Sequence, residues 1–541
     1  MAVGAVTSSV GRRRFLGGAG AAGAAFATSA FTGRRAAGRE ETHDVVIVGS
    51  GVGGSIAAYR LAAAGVRNVV LERGRRWPIT PAGDTFPDFW RPDRRTLWLG
   101  GRLHLPWVSA VPALDALVRS AESTVLPSYT GLADIVLDDQ MSVICGAGVG
   151  GGTLIYAGML PQPSPEVFAR CFPSWLDYGE LDAEYYPRAR RRMVASPIPD
   201  DVLAHPRYRP SRQWEQATRT AELSSERLPL NYDWDVIRRE LSGAVAPAAT
   251  VGQYMLTGCN SGAKMSVDRT YLARAEATGR TTVRPLHQVT DVTREADGVY
   301  RVVADRLSED GDVVETVSMR AAKVIFAAGA THTPRLLVRL RDTGSLPALP
   351  PDVGRGWGSN GDRLIAVKSL TADTGAPQAG PPPFIIRDDD NPAGPASLEV
   401  APLPMPFNTG AYFVLGMGMS QRPASIVYDG ATDRTELRFA PGTDLPASQG
   451  TASLSRRVAR AMGPDTVVVD AGVVHQVTVH PLGGAVLGKA TDRYGRLDGY
   501  RGLYCLDGSL LPGTAGAVNP SLTIAAVVER CLDRLVGEDF A

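Results

Sequence analysis

Lysine is almost missing. Lys264, Lys323, Lys368 and Lys489 are the only four in 541 residues, so nearly all the positive charge is arginine. Excess charge of either sign is missing too: 57 basic residues face 56 acidic ones, for a net charge of +1. A nucleic-acid binder needs its basic residues clustered, and these are scattered among acids, so a polyanion partner is excluded. Cysteine is scarce and unpatterned. Cys145, Cys171, Cys259, Cys505 and Cys531 form no CxxC and no even set, which excludes a disulfide framework and a cysteine-ligated metal site. No metal is expected. No apolar run approaches the roughly 20 residues needed to cross a bilayer. What remains, 44% hydrophobic and 21% charged residues, is the composition of a folded globular protein. The chain is too long for one simple core, which predicts two domains or one elaborated α/β domain.

The first 40 residues read as an address. Arg12-Arg13-Arg14-Phe15-Leu16 precedes the small, weakly apolar run Gly17–Ala25 and then Thr28-Ser29-Ala30. That order predicts a twin-arginine export signal and a secreted protein, exported folded with any cofactor already in place.

The stretch Asp44–Glu72 carries the first chemistry. Asp44–Val48 predicts a strand buried on both faces, about Gly53–Ala64 a helix, and Val69–Leu71 a second strand closed by Glu72. Gly49, Gly51 and Gly54 stand at GxGxxG spacing, with Ser50 and Val52 between them. The first glycine permits the turn, the second admits a pyrophosphate against the backbone, and the third lets helix and strand pack closely. The helix N-terminus faces that anion, and Glu72 is placed to accept ribose hydroxyls. This describes the ADP half of a dinucleotide and leaves NAD and FAD both open.

A second bare stretch, Gln140–Met159, holds Gly146, Gly148, Gly150, Gly151 and Gly152 between apolar flanks, which predicts backbone lying against a flat ring or a phosphate. Trp77 to about Pro127 reads as an irregular excursion. Pro161 to about Leu230 reads as mostly amphipathic helix, with Trp175, Tyr185, Tyr186 and Trp214 as core candidates. Gly298–Leu307 with Val313–Met319 predicts a hairpin, Lys323–Ala330 a separate buried strand, and Thr333-Pro334 a helix start. Ser397–Val400, Tyr412–Met417 and Ser425–Tyr428 read as strands, Ser453–Met462 as a helix, Leu503–Asp507 as a strand, and Leu522–Leu535 as the last helix.

Of the seven histidines, His480 stands out, because Pro481 and Gly483-Gly484 fix and bare its backbone. Asn519 has a similar setting between Gly513, Gly516 and Pro520. An imidazole and a carboxamide can divide the work of alcohol oxidation, one accepting the hydroxyl proton and the other orienting the oxygen.

The segments DQMSVICGAGVGGGTL, SVDRTYLARA, AAGATHTPRLLVRLRDTGSLP, VGRGWGSNG, LEVAPLPMP, VYDGATDR, HPLGGAVLGKATDRYGR and DGSLLPGTAGAVNP together resemble the glucose–methanol–choline (GMC) oxidoreductases. Within that family the resemblance is to the bacterial cholesterol oxidases with non-covalent FAD, and it runs from about residue 43 to 540. It implies an α/β fold: a Rossmann-like FAD-binding domain (41–80, 130–165, 250–345 and 470–541) interleaved with a substrate domain (81–129, 166–249 and 346–469) on a mostly antiparallel sheet. It also implies roles. His480 and Asn519 face the flavin N5 and hold a sterol 3β-hydroxyl. Glu399 moves a proton between C4 and C6 during isomerisation, its pKa raised by an apolar pocket. Gly49, Ser50, Gly51, Val52, Gly54 and Glu72 hold the ADP half. Gly148, Gly152, Tyr156, Met159, Val289, Asp507, Gly508, Pro520 and Ser521 line the rest of the cofactor. The chain departs from the pattern at Tyr156, where those oxidases carry Asn, at Ser397, where they carry Phe, and at Ser521-Leu522, where they carry Phe-Val. The Asn and Phe belong to an oxygen path and gate. The implied activity is oxidation of a sterol 3β-hydroxyl with O2, giving H2O2, and isomerisation of the 5-en-3-one to the 4-en-3-one. The alternative is a dehydrogenase of another bulky alcohol with a different acceptor. Sterol, O2 and transient contact with a membrane surface are the expected partners, and a monomer the expected state.

Overall fold

The computed structural model describes residues 41–102, 124–138, 141–420, 423–439, 444–470 and 476–541. The expected export signal, residues 103–123 of the irregular excursion with His104, and His475 lie outside the described residues.

Five parallel strands form the heart of the first sheet, in the order Thr281–Arg284, Asn68–Leu71, Glu41–Val48, Val313–Phe326, Leu503–Cys505. Val45–Val48 and Asn68–Leu71 are buried throughout, as central strands of a parallel sheet are. Helix Val52–Ala63 crosses between the first two strands in chain order and packs against the last helix, Ser521–Asp539. The packing leaves no room for side chains at its start: a Cβ on Gly54 would sit 2.0 Å from Gly49 O, and one on Gly53 1.8 Å from Leu506 O. The third glycine therefore does what its spacing predicts.

The expected hairpin and the expected separate buried strand turn out to share one element. Val313–Phe326 pairs antiparallel with Tyr300–Leu307 along its first part and parallel with Glu41–Val48 and Leu503–Cys505 at its end. The pattern changes from exposed to buried along this strand because it leaves an open edge and enters the middle of the sheet. That change read as two elements.

The second sheet is antiparallel throughout, in the order Thr466–Asp470, Arg363–Ser369, Ala411–Gly418, Ala396–Ala401, Phe384–Asp388, Ser224–Arg227. Helix Leu445–Met462 covers one face. It begins eight residues before the expected Ser453, since Pro446 is tolerated in a first turn and Gly450 leaves room at a close approach, where a Cβ would sit 3.1 Å from Gly394 O. Leu398 and Val400 point to this helix and pack with Leu454 and Val458. Period two then sends Ser397 and Glu399 to the opposite face, where Ile385 and Leu415 are the cross-strand neighbours of Glu399.

The helix expected to start at Thr333-Pro334 runs from Gly329 to Asp342, with Pro334 inside it. Proline offers no N–H to Ala330 O, four residues back. The buried Trp357 fills the gap, its indole Nε1–H donating to Ala330 O at 3.0 Å. Trp357→Phe strands that carbonyl and is expected to cost about 1–3 kcal/mol in denaturant unfolding of the holoenzyme. Pro334→Ala restores the backbone donor, so the same tryptophan change costs measurably less in that background.

Candidate active site

The two glycine stretches meet at the carboxyl ends of the parallel strands. Ser50 joins them: its N–H and hydroxyl donate to Glu72 Oε2 at 3.1 and 2.7 Å, and Gly150 N donates to Ser50 Oγ at 3.1 Å. Glu72 Oε1 accepts from Gly74 N at 2.9 Å. Burial raises the Glu72 pKa, and these donors pull it back. Three donors leave part of the carboxylate's acceptor capacity free.

The bare backbone here is of two kinds. Cβ atoms on Gly49, Gly54, Gly146 and Gly148 would meet protein atoms at 2.0–2.7 Å, so these glycines serve packing. Cβ atoms on Gly51 and Gly152 would meet nothing within 4 Å. Gly51 and Gly152 thus present naked backbone to open space beside a buried carboxylate, which fits a diphosphate and its ribose. Val52 opens the helix behind them. Val289 lies on strand His287–Arg294, which begins beside Glu72, with His287 N donating to Glu72 O at 2.8 Å.

Asp507 closes the other end. Its carboxylate accepts from Gly329 N at 2.8 Å, Thr333 Oγ1 at 2.6 Å and Ser509 N at 2.7 Å, and burial raises its pKa. Gly508 O accepts from Gly483 N at 3.0 Å, which ties the His480 loop to this strand end. Pro520 and Ser521 start the last helix directly after Asn519.

Met159 is buried in the core, bridged to Leu230. The Tyr156 hydroxyl is engaged by the Asn231 amide, which also donates to Met265 O at 2.8 Å. Lys264, which sequence reasoning missed, sits under this loop and donates to Leu154 O, Tyr156 O and Tyr254 O at 2.7–2.9 Å. Burial lowers its pKa to about 7.

Glu399, His480 and Asn519 come together from three segments. Asn519 Nδ2 stands 3.5 Å from His480 Nε2. Glu399 is fully buried, and neither of its oxygens nor Asn519 Oδ1 is met in good hydrogen-bond geometry, although the Asn519 side chain stands near enough to draw on the Glu399 carboxyl. Burial pushes the Glu399 carboxyl up to about 8, against the pull of Asn519, the His480 ring and Arg387. Burial would by itself lower the His480 pKa. Asp362, through its charge and a hydrogen bond, outweighs that, Glu399 adds to it, and the pKa is raised.

Asp362 is the second residue that sequence reasoning missed. Its Oδ1 lies 2.9 Å from His480 Nδ1, and its Oδ2 accepts from Val479 N at 2.9 Å and His480 N at 3.1 Å. Asn360 acts on the other partner: Ala515 N donates to its Oδ1 at 2.8 Å and its Nδ2 donates to Val518 O at 2.9 Å. The available signal was the segment VGRGWGSNG, whose next residue is Asp362.

Such an arrangement can bind a hydroxyl at one point, take its proton at His480 Nε2, and move a second proton at Glu399. The chain matches the family models GMC oxidoreductase over residues 16–340, GMC oxidoreductase, C-terminal over 360–466, and GMC oxidoreductase over 451–527. It is similar to cholesterol oxidases of Mycobacterium tuberculosis, at 26% identity over 90% of each chain, and of Acinetobacter baumannii, at 25% over 91% of this chain and 94% of that one. Its fold is similar to that of pyridoxine 4-oxidase from Mesorbium loti, with a TM-score of 0.62, 15% identity and 92% and 99% of the two chains covered. A fungal aryl-alcohol oxidase follows, with a TM-score of 0.61, 15% identity and 93% and 100% covered. The chain belongs to the GMC oxidoreductase family, flavoproteins that bind FAD and oxidise alcohols.

Proposed function

We propose that the protein is a secreted cholesterol (3β-hydroxysteroid) oxidase with non-covalently held FAD, coupling oxidation to Δ5–Δ4 isomerisation. The observation that carries the reading is the set of unpartnered polar atoms, Glu399 Oε1, Oε2 and Asn519 Oδ1, buried around His480 Nε2. Unsatisfied buried polar atoms are costly unless a ligand answers them. The names of the relatives supply the sterol. Bound FAD supplies the two-electron acceptor. Asn519 orients the 3β-hydroxyl and His480 Nε2 takes its proton as hydride leaves C3. Glu399 then takes a proton from C4 of the 5-en-3-one and returns it at C6. A carboxyl with a pKa near 8 is basic enough to remove an activated C–H proton and acidic enough to give it back. O2 as acceptor, export through the twin-arginine signal, a monomeric state and transient contact with a membrane surface complete the proposal.

A second reading, a dehydrogenase passing electrons to another acceptor, is favoured by Ser397. Its hydroxyl donates to Ala517 O at 2.6 Å, where the resemblance implies a phenylalanine gate for oxygen.

Holoenzyme given cholesterol without oxygen should lose its flavin absorbance and, on readmission of air, recover it with one H2O2 per sterol. Bleaching that only a dye acceptor reverses would select the dehydrogenase, and no bleaching would end both readings. Glu399→Gln should keep flavin reduction within a few-fold and release the 5-en-3-one. Isomerisation of supplied 5-en-3-one by the unaltered protein should rise with pH up to about 8.

The same carboxyl sets a pH dependence of stability. Below the unfolded value, near 4.3, both states hold the proton and Glu399 costs nothing. From there to about 8 the unfolded chain ionises while the folded one does not, so stability falls by about 1.4 kcal/mol per pH unit, then levels. Melting curves of the two holoenzymes should therefore separate with rising pH. Glu399→Gln should gain roughly 5 kcal/mol over the unaltered protein by pH 9 and nothing near pH 4.

A further inference from the structure

We propose that Asp362 is a positioning residue that fixes His480 in a single tautomer, with the proton on Nδ1 and Nε2 left as the acceptor. This rests on the reading of His480 as the group that takes the alcohol proton.

Three contacts converge on the assignment. The Asp362 side chain is 1% exposed and the His480 side chain 12%, so water does not compete for their 2.9 Å contact. A carboxylate only accepts hydrogen bonds, so Nδ1 must be the donor. At the other side of the ring, the Asn519 amide nitrogen, a donor, stands 3.5 Å from Nε2, a placement that suits an accepting Nε2. Both ends of the imidazole therefore call for the same tautomer. The second carboxylate oxygen fixes Asp362 itself, because Val479 N and His480 N both donate to Oδ2. The charged groups facing the ring are Asp362, from the loop before strand Arg363–Ser369, and Glu399, from strand Ala396–Ala401. Asn519, from the loop before the last helix, is neutral.

The geometry predicts what an isosteric change does. In Asp362→Asn the two backbone N–H groups hold the amide carbonyl at the Oδ2 position. The amide NH2 then faces Nδ1, which must accept, and the imidazole proton moves to Nε2. His480 then points a donor at the alcohol and cannot act as its base. The backbone contacts survive, so the fold is kept.

The test is nitrogen NMR of holoenzyme labelled with 15N-histidine, at a pH above the imidazole titration, with His480→Gln identifying the resonances. The unaltered protein should show a protonated Nδ1 and a bare Nε2 at His480, and Asp362→Asn the reverse. Flavin reduction by anaerobic cholesterol should fall about 100-fold or more in Asp362→Asn, as for other misassigned catalytic imidazoles, with KM, flavin spectrum and melting temperature little changed. A bare Nδ1 in the unaltered protein overturns the proposal. So does an Asp362→Asn variant with its tautomer unchanged, or with a reversed tautomer and undiminished reduction. If cholesterol does not reduce even the unaltered flavin, the proposed substrate falls while the nitrogen shifts still decide the tautomer. If the variant does not fold, the spectrum of the unaltered protein decides alone.

Discussion

The site depends on one loop, Gly358–Asp362, which fastens two other loops at once. Gly358 exchanges both backbone hydrogen bonds with Leu482, and Asp362 grips the His480 backbone and ring. Asn360, at a φ of +57° that asparagine tolerates, takes hold of Ala515 and Val518 beside Asn519. The loops are so close that a Cβ on Gly358 would sit 2.3 Å from Gly513 O. The distance between His480 and Asn519 is therefore set by a third segment, 118 residues before the histidine. Bonds of this kind in a dry interior are strong and mutually reinforcing, so neither loop can move without breaking several.

That rigidity is what permits the orphaned atoms. A carboxyl and an amide oxygen buried without partners would ordinarily be relieved by a rotamer change or by entry of water. Here Glu399 is held between Ile385 and Leu415 on a central strand, and Asn519 stands between Asn360-bound backbone and the first turn of a helix. The unmet demand stays pointed at one place, which is the meaning of a preorganised site. The anchoring half of the molecule works differently. Around Ser50 and Glu72 the polar atoms are already paired with one another, and what is left open is backbone at Gly51 and Gly152.

Local chemistry made much of this legible from the sequence. The strand–turn–helix at Asp44–Ala64 could be read because each glycine answers a steric demand that lies within a few residues, and the close contact at Gly54 bears that reading out. His480 and Asn519 could be read because glycine and proline crowd around them. Asp362 could not: an aspartate after a Ser-Asn-Gly turn looks like turn chemistry, and its partner is far away in the chain. Lys264 was hidden for the same reason, since its three acceptors are backbone carbonyls that leave no trace in side-chain identity. The length of Val313–Phe326 was hidden because its burial changes along the strand with its neighbours and not with its own residues. Pro334 misled in the opposite sense. It signalled a helix start, and only the remote Trp357 makes its place inside the helix acceptable.

Ser397 ties the two halves of the polar cluster together. It sits two residues before Glu399, on the same face of the same strand, and its hydroxyl is fixed on the carbonyl of Ala517, two residues before Asn519. Ala517 itself has a φ of +57°, a conformation that alanine adopts only when its surroundings hold it. The hydrogen bond thus joins the strand carrying the carboxyl to the loop carrying the amide. A buried hydroxyl with a partner at 2.6 Å gives up that bond to move. The polar tie thus holds the strand of Glu399 at a fixed distance from the loop of Asn519.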